Sequence, residues 1–274
     1  MRDVRLQDGC EVPAIGQGTW HMGESAARRQ DEVAALRRGL ELGMRLIDTA
    51  EMYADGGAER VVGEAIAGRR DQAFLVSKAY PWHAGRHSLP RACEASLDRL
   101  GTDYLDLYLL HWRGDFPLME TVDAFERLRE QGKIRRWGVS NFDVDDLQEL
   151  EGLACATNQV QYNPEARGVD FDLLPWQRRR GMPLMAYCPV GQGGGLLGHP
   201  ALLQVAERRG ATPAQIALAW CLRDDGVIAI PKAVDPEHLR QNAEAADIRL
   251  DDEDRAVLDA AFPPPTRKQR LAIV

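Results

Sequence analysis

Two rhythms alternate along this chain. Short apolar runs of strand length stop at a polar or small residue, and between them lie stretches whose apolar positions recur three and four residues apart. The short runs predict eight strands, at 15–18, 46–48, 74–78, 105–110, 134–140, 158–162, 184–187 and 227–231. The helical spacing covers 32–42, 58–67, 89–100, 118–131, 144–150 and 212–223, with further helices at 236–246 and 251–261. Ahead of these, the apolar stretches at 4–6 and 11–14 flank Asp8-Gly9 and predict a β-hairpin. Thr212-Pro213 and Asp235-Pro236 each place a capping side chain before a proline at the first helical position. Glycines at 43, 68, 101, 132, 181 and 210 follow helical stretches and predict C-terminal caps. Strands that alternate with helices, with no linker between them, predict one (β/α)8 barrel of the TIM type over 1–274. The hairpin precedes the barrel, extra C-terminal helices follow it, and the tail from 263 is expected to be irregular.

A parallel barrel gathers the carboxyl ends of its strands at one mouth, where sites form. The second, third and fourth strands end in LIDTAEMY, FLVSK and YLDLYLLHW. They deliver Asp48, Tyr53, Lys78 and His111 to that mouth. Each alone has an ordinary explanation: Asp48 as a turn residue, Tyr53 as packing, His111 as a satisfied histidine. Together they make a proton-transfer set. A free phenol has a pKa of roughly 10 and is a weak acid at neutral pH. A neighbouring ammonium is expected to lower it, and that ammonium needs a carboxylate to hold it in a dry site. His111 would orient a substrate oxygen or share the proton. The set suits delivery of a proton to an oxygen that gains negative charge, as in carbonyl reduction.

Composition narrows the field. Hydrophobic residues make up 45% and charged residues 28% of the 274, the balance of a chain with a packed core. No apolar run reaches membrane-spanning length and the N-terminus lacks a signal-peptide pattern, so a cytoplasmic location is expected. Net charge is −8, which argues against nucleic acid as a partner; a phosphate-bearing ligand would need a local cationic cluster. Five scattered cysteines without C-x-x-C argue against disulfides or zinc.

The motifs GQGTW at 16–20, DTAEMY at 48–53, Lys78, LLHW at 109–112, GVSNF at 138–142, NQV at 158–160 and IPK at 230–232 occur in order over nearly the whole chain. In this the sequence resembles the aldo-keto reductase family, and most of all its small bacterial branch that reduces methylglyoxal and related aldehydes. The resemblance implies NADPH bound without a Rossmann fold, and a catalytic set of Asp48, Tyr53, Lys78 and His111 with Tyr53 as general acid. It implies a cofactor site of Gly18, Thr19, Trp20, Ser140, Asn141, Gln159, Tyr187, Lys232, Ala233, Val234, His238, Gln241 and Asn242. Ser140, Asn141 and Gln159 would meet the nicotinamide carboxamide, Tyr187 would stack on the ring, and Asn242 would contact adenine. The plain alternative for Ser140-Asn141 is a cap for the helix from Val144.

Lys232 before a helix N-terminus suits the 2′-phosphate, where charge and free N–H groups act together. Ala233 stands where the family usually has a hydroxyl residue and His238 where it usually has arginine. NADPH is therefore expected to be preferred over NADH by a reduced, pH-sensitive margin. Cys188, Gln161 and Asn163 also depart from the family pattern. The glycine-rich run Gly191–Gly195 lacks phosphate-loop spacing and reads as a flexible loop in a place where the family covers its cofactor.

Trp20, Tyr80, Trp82 and Trp112 follow strand ends and are candidates for an apolar substrate wall; core packing is the ordinary alternative, above all for Trp82. Short loops after His111 and at the C-terminus predict an open mouth and small carbonyl substrates; a monomer is expected. Two other readings are weaker. A cofactor-sensing regulatory protein on the same barrel would not need the intact catalytic set. A metal-dependent hydrolase would need more ligands than six histidines with no His-x-His after a strand provide.

Overall fold

The computed structural model describes residues 2–274. Strands β1 (Asp3–Arg5) and β2 (Glu11–Pro13) pair antiparallel as the expected hairpin. The order then runs β3 (Gln17–Gly18), α1 (Arg29–Glu41), β4 (Leu46–Asp48), α2 (Gly57–Ile66), β5 (Phe74–Ala79), α3 (Ser88–Leu100), β6 (Leu107–Leu110), α4 (Leu118–Glu130), β7 (Trp137–Ser140) and α5 (Val144–Gln148). It continues with β8 (Cys155–Gln161), α6 (Leu173–Arg179), β9 (Leu184–Tyr187), α7 (Pro200–Arg209), α8 (Pro213–Cys221), β10 (Val227–Ala229), α9 (Pro236–Ala245) and α10 (Asp252–Ala261).

Strands β3 to β10 form one parallel sheet in sequential order. The sheet closes on itself. Ile15 bridges Ala229, the amide of Ala229 donates to Ala14 O at 2.8 Å, and the amides of Gly16 and Gly18 donate to Ala229 O at 2.8 Å and Pro231 O at 2.9 Å. Gly18 is needed at this seam, because a Cβ there would sit 2.7 Å from the carbonyl oxygen of Ile230. With helices packed outside and the barrel closed inside, Leu46–Asp48, Leu107–Leu110 and Trp137–Ser140 are buried at every position, as parallel strands covered on both faces must be.

Helix α3 shows how the pattern maps onto packing. Its buried residues Leu89, Ala92, Cys93, Ser96, Leu97 and Leu100 recur at three and four, and Gly101 ends it in the left-handed region at φ 61°. Thr212 and Asp251 both cap with a reciprocal box, through Gln215 and Asp254.

Several expected boundaries shift. The first strand pairs regularly only at Gln17–Gly18. The strand expected over 134–140 begins at Trp137, because its register slips between Trp137 and Val139 and Ile134 makes only an isolated bridge to Leu105. The helix expected over 144–150 is five residues long. The glycine run carries two short 3-10 turns, Gly191–Gly193 and Gly195–Gly198. Among the described residues no helix is long and apolar enough to cross a membrane.

Candidate active site

Adjacent strands bring the first two polar residues together. Asp48 closes β4 and Lys78 lies near the end of β5, both buried. The Lys78 ammonium donates to Asp48 Oδ2 at 2.7 Å, to the carbonyl of Thr49 at 2.9 Å and to the hydroxyl of Tyr53 at 3.1 Å. Its three hydrogens are thus matched by three acceptors. Tyr53 arrives from the β4–α2 loop, which turns through Ala54, Asp55 and Gly56, all at positive φ. The second oxygen of Asp48 accepts the side-chain N–H of Gln159 at 2.7 Å.

Burial corrects one expectation. Desolvation pushes the Tyr53 phenol well above its usual range, and the Asp48 carboxylate adds to the rise. The Lys78 ammonium is already paired with Asp48 and does not reverse this. Lys78 is itself lowered by burial, against the opposing pull of Asp48. Tyr53 is therefore a neutral phenol that keeps its proton at physiological pH, the form a proton donor needs.

His111 follows β6, where its amide donates to Ala79 O at 3.0 Å. Its ring lies edge-on to that of Tyr53, centroids 5.9 Å apart. Burial first, and then the Lys78 charge, push it down to about 2, so the imidazole is neutral at pH 7. Its Nδ1 is buried without a partner. A neutral ring can orient an oxygen; it has no proton to share as an imidazolium.

The expected carboxamide residues converge behind this set. Ser140 Oγ donates to Gln159 O at 2.9 Å. Asn141, in the left-handed region at φ 59°, donates from Nδ2 to His111 O at 3.2 Å and accepts the Tyr187 hydroxyl at 2.9 Å. Neither Ser140 nor Asn141 caps α5. Asp143 does so, through a capping box with Asp146, which removes the plain alternative.

A cavity of about 780 Å³ opens from Tyr53 and Asp48 along the barrel seam. Of the expected cofactor residues, Gly18, Thr19, Trp20, Tyr187, Lys232, Ala233, His238, Gln241 and Asn242 line it. Val234 packs against the core instead. Cys188, Gln192, Leu197, Thr212, Pro213 and Ala214 also line the cavity and were not read from the sequence as cofactor residues. Thr212-Pro213 was read only as a helix start, and nothing in its local pattern says which way that start faces. A cavity of this size suits a small-molecule or cofactor ligand. Tyr53 stands near one part of it, Trp20 stacks on Tyr53 with centroids 5.7 Å apart, and Lys232 is an exposed cation without an ion pair among the described residues. One correction applies at Lys232. The amides of Glu237 and His238 at the start of α9 are already bonded to Asp235 Oδ1, at 2.9 and 3.0 Å, so they are not free for a phosphate.

The remaining aromatics stand beside this cavity, not in its lining. Tyr80 stacks on Trp82 at 4.2 Å, and Trp112 meets both edge-on at 6.1 and 5.8 Å while lying 5.0 Å from His111. Trp82 is 57% exposed, so core packing does not account for it. The C-terminal tail is irregular as expected, yet it reaches the mouth. Lys268 pairs with Asp143 and Asp172 at 3.2 and 3.3 Å, and Ala272 O accepts from the Tyr187 hydroxyl at 3.5 Å.

The chain is a barrel of eight parallel strands with a buried Asp–Lys–Tyr chain at its mouth; residues 14–262 match the model of the aldo/keto reductase family, and the chain belongs to that family. It is 53% identical to methylglyoxal reductase YeaE of Escherichia coli (strain K12), over 99% of this chain and 98% of that protein. It is 35% identical to glyoxal reductase of Bacillus subtilis (strain 168), over 94% and 91%. Among solved structures, the aldo-keto reductase from Klebsiella pneumoniae in complex with NADPH is 58% identical and superposes with a TM-score of 0.97, covering 100% of this chain and 99% of that one.

Proposed function

We propose that the chain, acting as a single barrel domain, is an NADPH-dependent reductase of small aldehydes and activated ketones, such as methylglyoxal-type dicarbonyls and aromatic aldehydes. The observation that carries the reading is the Lys78 ammonium held between Asp48 at 2.7 Å and Tyr53 at 3.1 Å, at the edge of a cavity of about 780 Å³. Similarity to methylglyoxal and glyoxal reductases, and to an NADPH-bound structure, supports it.

NADPH, when bound, supplies the hydride to the carbonyl carbon. Tyr53, kept protonated by burial, gives its proton to the carbonyl oxygen as charge develops there. Lys78 donates to the Tyr53 oxygen and stabilises the phenolate that remains, while Asp48 anchors Lys78. Neutral His111 orients the substrate oxygen. Ser140, Asn141 and Gln159 would hold the carboxamide, Tyr187 would take the nicotinamide, and Lys232 with His238 would take the 2′-phosphate. Trp20, Tyr80, Trp82 and Trp112 form the wall met by the substrate. NADH is accepted more weakly. In this reading the protein works as a monomer in the reducing cytoplasm, where its five free cysteines stay reduced.

The test is Tyr53→Phe with methylglyoxal. Turnover should fall by about 10²- to 10⁴-fold, the range for loss of a positioned acid, while NADPH still quenches protein fluorescence. Turnover within a factor of a few of wild type would overturn the assignment of Tyr53.

A further inference from the structure

Gln159, which the family resemblance puts at the cofactor, is bonded to the proton-donating set. It lies on β8, is 1% exposed, and its Nε2 donates to Asp48 Oδ1 at 2.7 Å. The other Asp48 oxygen carries Lys78 at 2.7 Å, which in turn carries Tyr53 at 3.1 Å. Four side chains from β8, β4, β5 and the β4–α2 loop therefore form one unbranched run, Gln159 to Asp48 to Lys78 to Tyr53. A carboxylate in a dry site rotates about its last torsion unless both oxygens are engaged. Lys78 alone fixes one. Gln159 fixes the other, and its own backbone is tied in turn: its carbonyl accepts from Ser140 Oγ at 2.9 Å and from the amide of Asn141 at 2.9 Å.

We infer that Gln159 is a positioning residue for the proton-transfer chain, acting on Tyr53 through Asp48 and Lys78, and that its contribution to turnover is separable from any hold on the cofactor. The inference rests on the functional reading above. Loss of the Gln159 donor leaves Asp48 free to turn, Lys78 loses its fixed anchor, and the hydrogen bond that aims the Tyr53 hydroxyl loosens. The chemical step slows because the donor is misplaced, not because the cofactor is absent.

The experiment uses Gln159→Met, which keeps the length and removes the donor. Titrated with NADPH by fluorescence quenching, it should lose affinity by a clearly smaller factor than it loses turnover, since Ser140 and Asn141 still face the carboxamide in this reading. Its kcat for methylglyoxal should fall on the order of tenfold or more, as expected when a reacting group is misplaced, and the solvent deuterium isotope effect on kcat should rise as proton delivery becomes limiting. Combining it with Asp48→Asn should cost much less than the product of the two single losses, since both changes act on one chain. NADPH affinity weakened in step with kcat/KM, an unchanged isotope effect and multiplicative losses would instead make Gln159 a cofactor contact only, and would overturn the inference. Should the double variant fail to fold, the isotope effect and the binding titration of Gln159→Met still decide the matter. Failure of the functional reading has a different signature, namely turnover retained by Tyr53→Phe with Gln159 unaltered.

Discussion

The Asp235 carboxylate accepts the backbone N–H of His238 at 3.0 Å, and that of Glu237 at 2.9 Å, so the start of α9 is sealed by its own cap. A phosphate arriving there meets an anion where helix amides would otherwise be open to it. What remains on this side of the cavity is the Lys232 ammonium and the His238 ring, both exposed. Arg240 does not help. It lies outside the cavity lining, with its guanidinium bound to Glu237 at 2.9 Å and to Glu244.

His238→Arg should therefore strengthen NADPH binding by about five- to tenfold, the worth of roughly one added charge-assisted contact at an exposed site, and leave NADH binding unchanged. Paired fluorescence titrations with the two cofactors measure this directly. Equal gains for both would mean that position 238 faces something other than the 2′-phosphate.

The Lys78–Asp48 pair invites a stability test, because both groups are buried. Lys78→Met removes the cation bonded to Asp48 and leaves a carboxylate in a dry site, which should cost about 3–5 kcal/mol. Asp48→Asn combined with Lys78→Met removes both charges and should recover a large part of that loss in urea unfolding. Both variants should lack turnover, since Tyr53 has lost its donor. A double variant no more stable than Lys78→Met would show that packing, not the stranded charge, sets the cost.

Much of this was legible in the chain, and the reasons differ by residue. The apolar runs that stop at Asp48, Lys78 and His111 placed them at one mouth, since strand ends in a closed parallel barrel have nowhere else to go. The protonation state was not legible. An ammonium next to a phenol suggested a lowered pKa, but the depth of burial decides the sign, and no local pattern encodes depth. The capping of α9 was half visible: Asp235-Pro236 announced the helix start, yet the consequence that its amides are consumed became clear only from the bonds to Asp235. Residues brought by tertiary closure left the faintest trace. Leu197 and Ala214 line the cavity because 3-10 turns and a helix start fold over the seam, and nothing in their neighbours' periodicity points inward. Trp82 is the reverse case. As an aromatic after a strand it was a candidate for the substrate wall, with core packing the ordinary alternative; it stands exposed and stacked on Tyr80, so the packing alternative does not hold.

His111 makes the fold acid-sensitive in a definite window. In the folded chain its pKa is pushed down to about 2, whereas an unfolded histidine titrates near roughly 6.5. Above the unfolded value neither state binds the proton, and His111 contributes no pH dependence. As pH falls below it, the unfolded chain takes up a proton that the folded chain refuses, so stability declines until the folded ring also titrates. The slope from this one residue is at most about 1.4 kcal/mol per pH unit. His111→Gln, which removes the titrating ring, should show a shallower loss of stability between pH 6.5 and pH 4.5 than the wild type, by up to about 2–3 kcal/mol. Urea unfolding at pH 8, 6 and 4.5 measures the difference. Parallel declines in the two proteins would mean that the ring takes up its proton in the folded state near the ordinary value. The neutral imidazole assigned to the active site would then fall with that result.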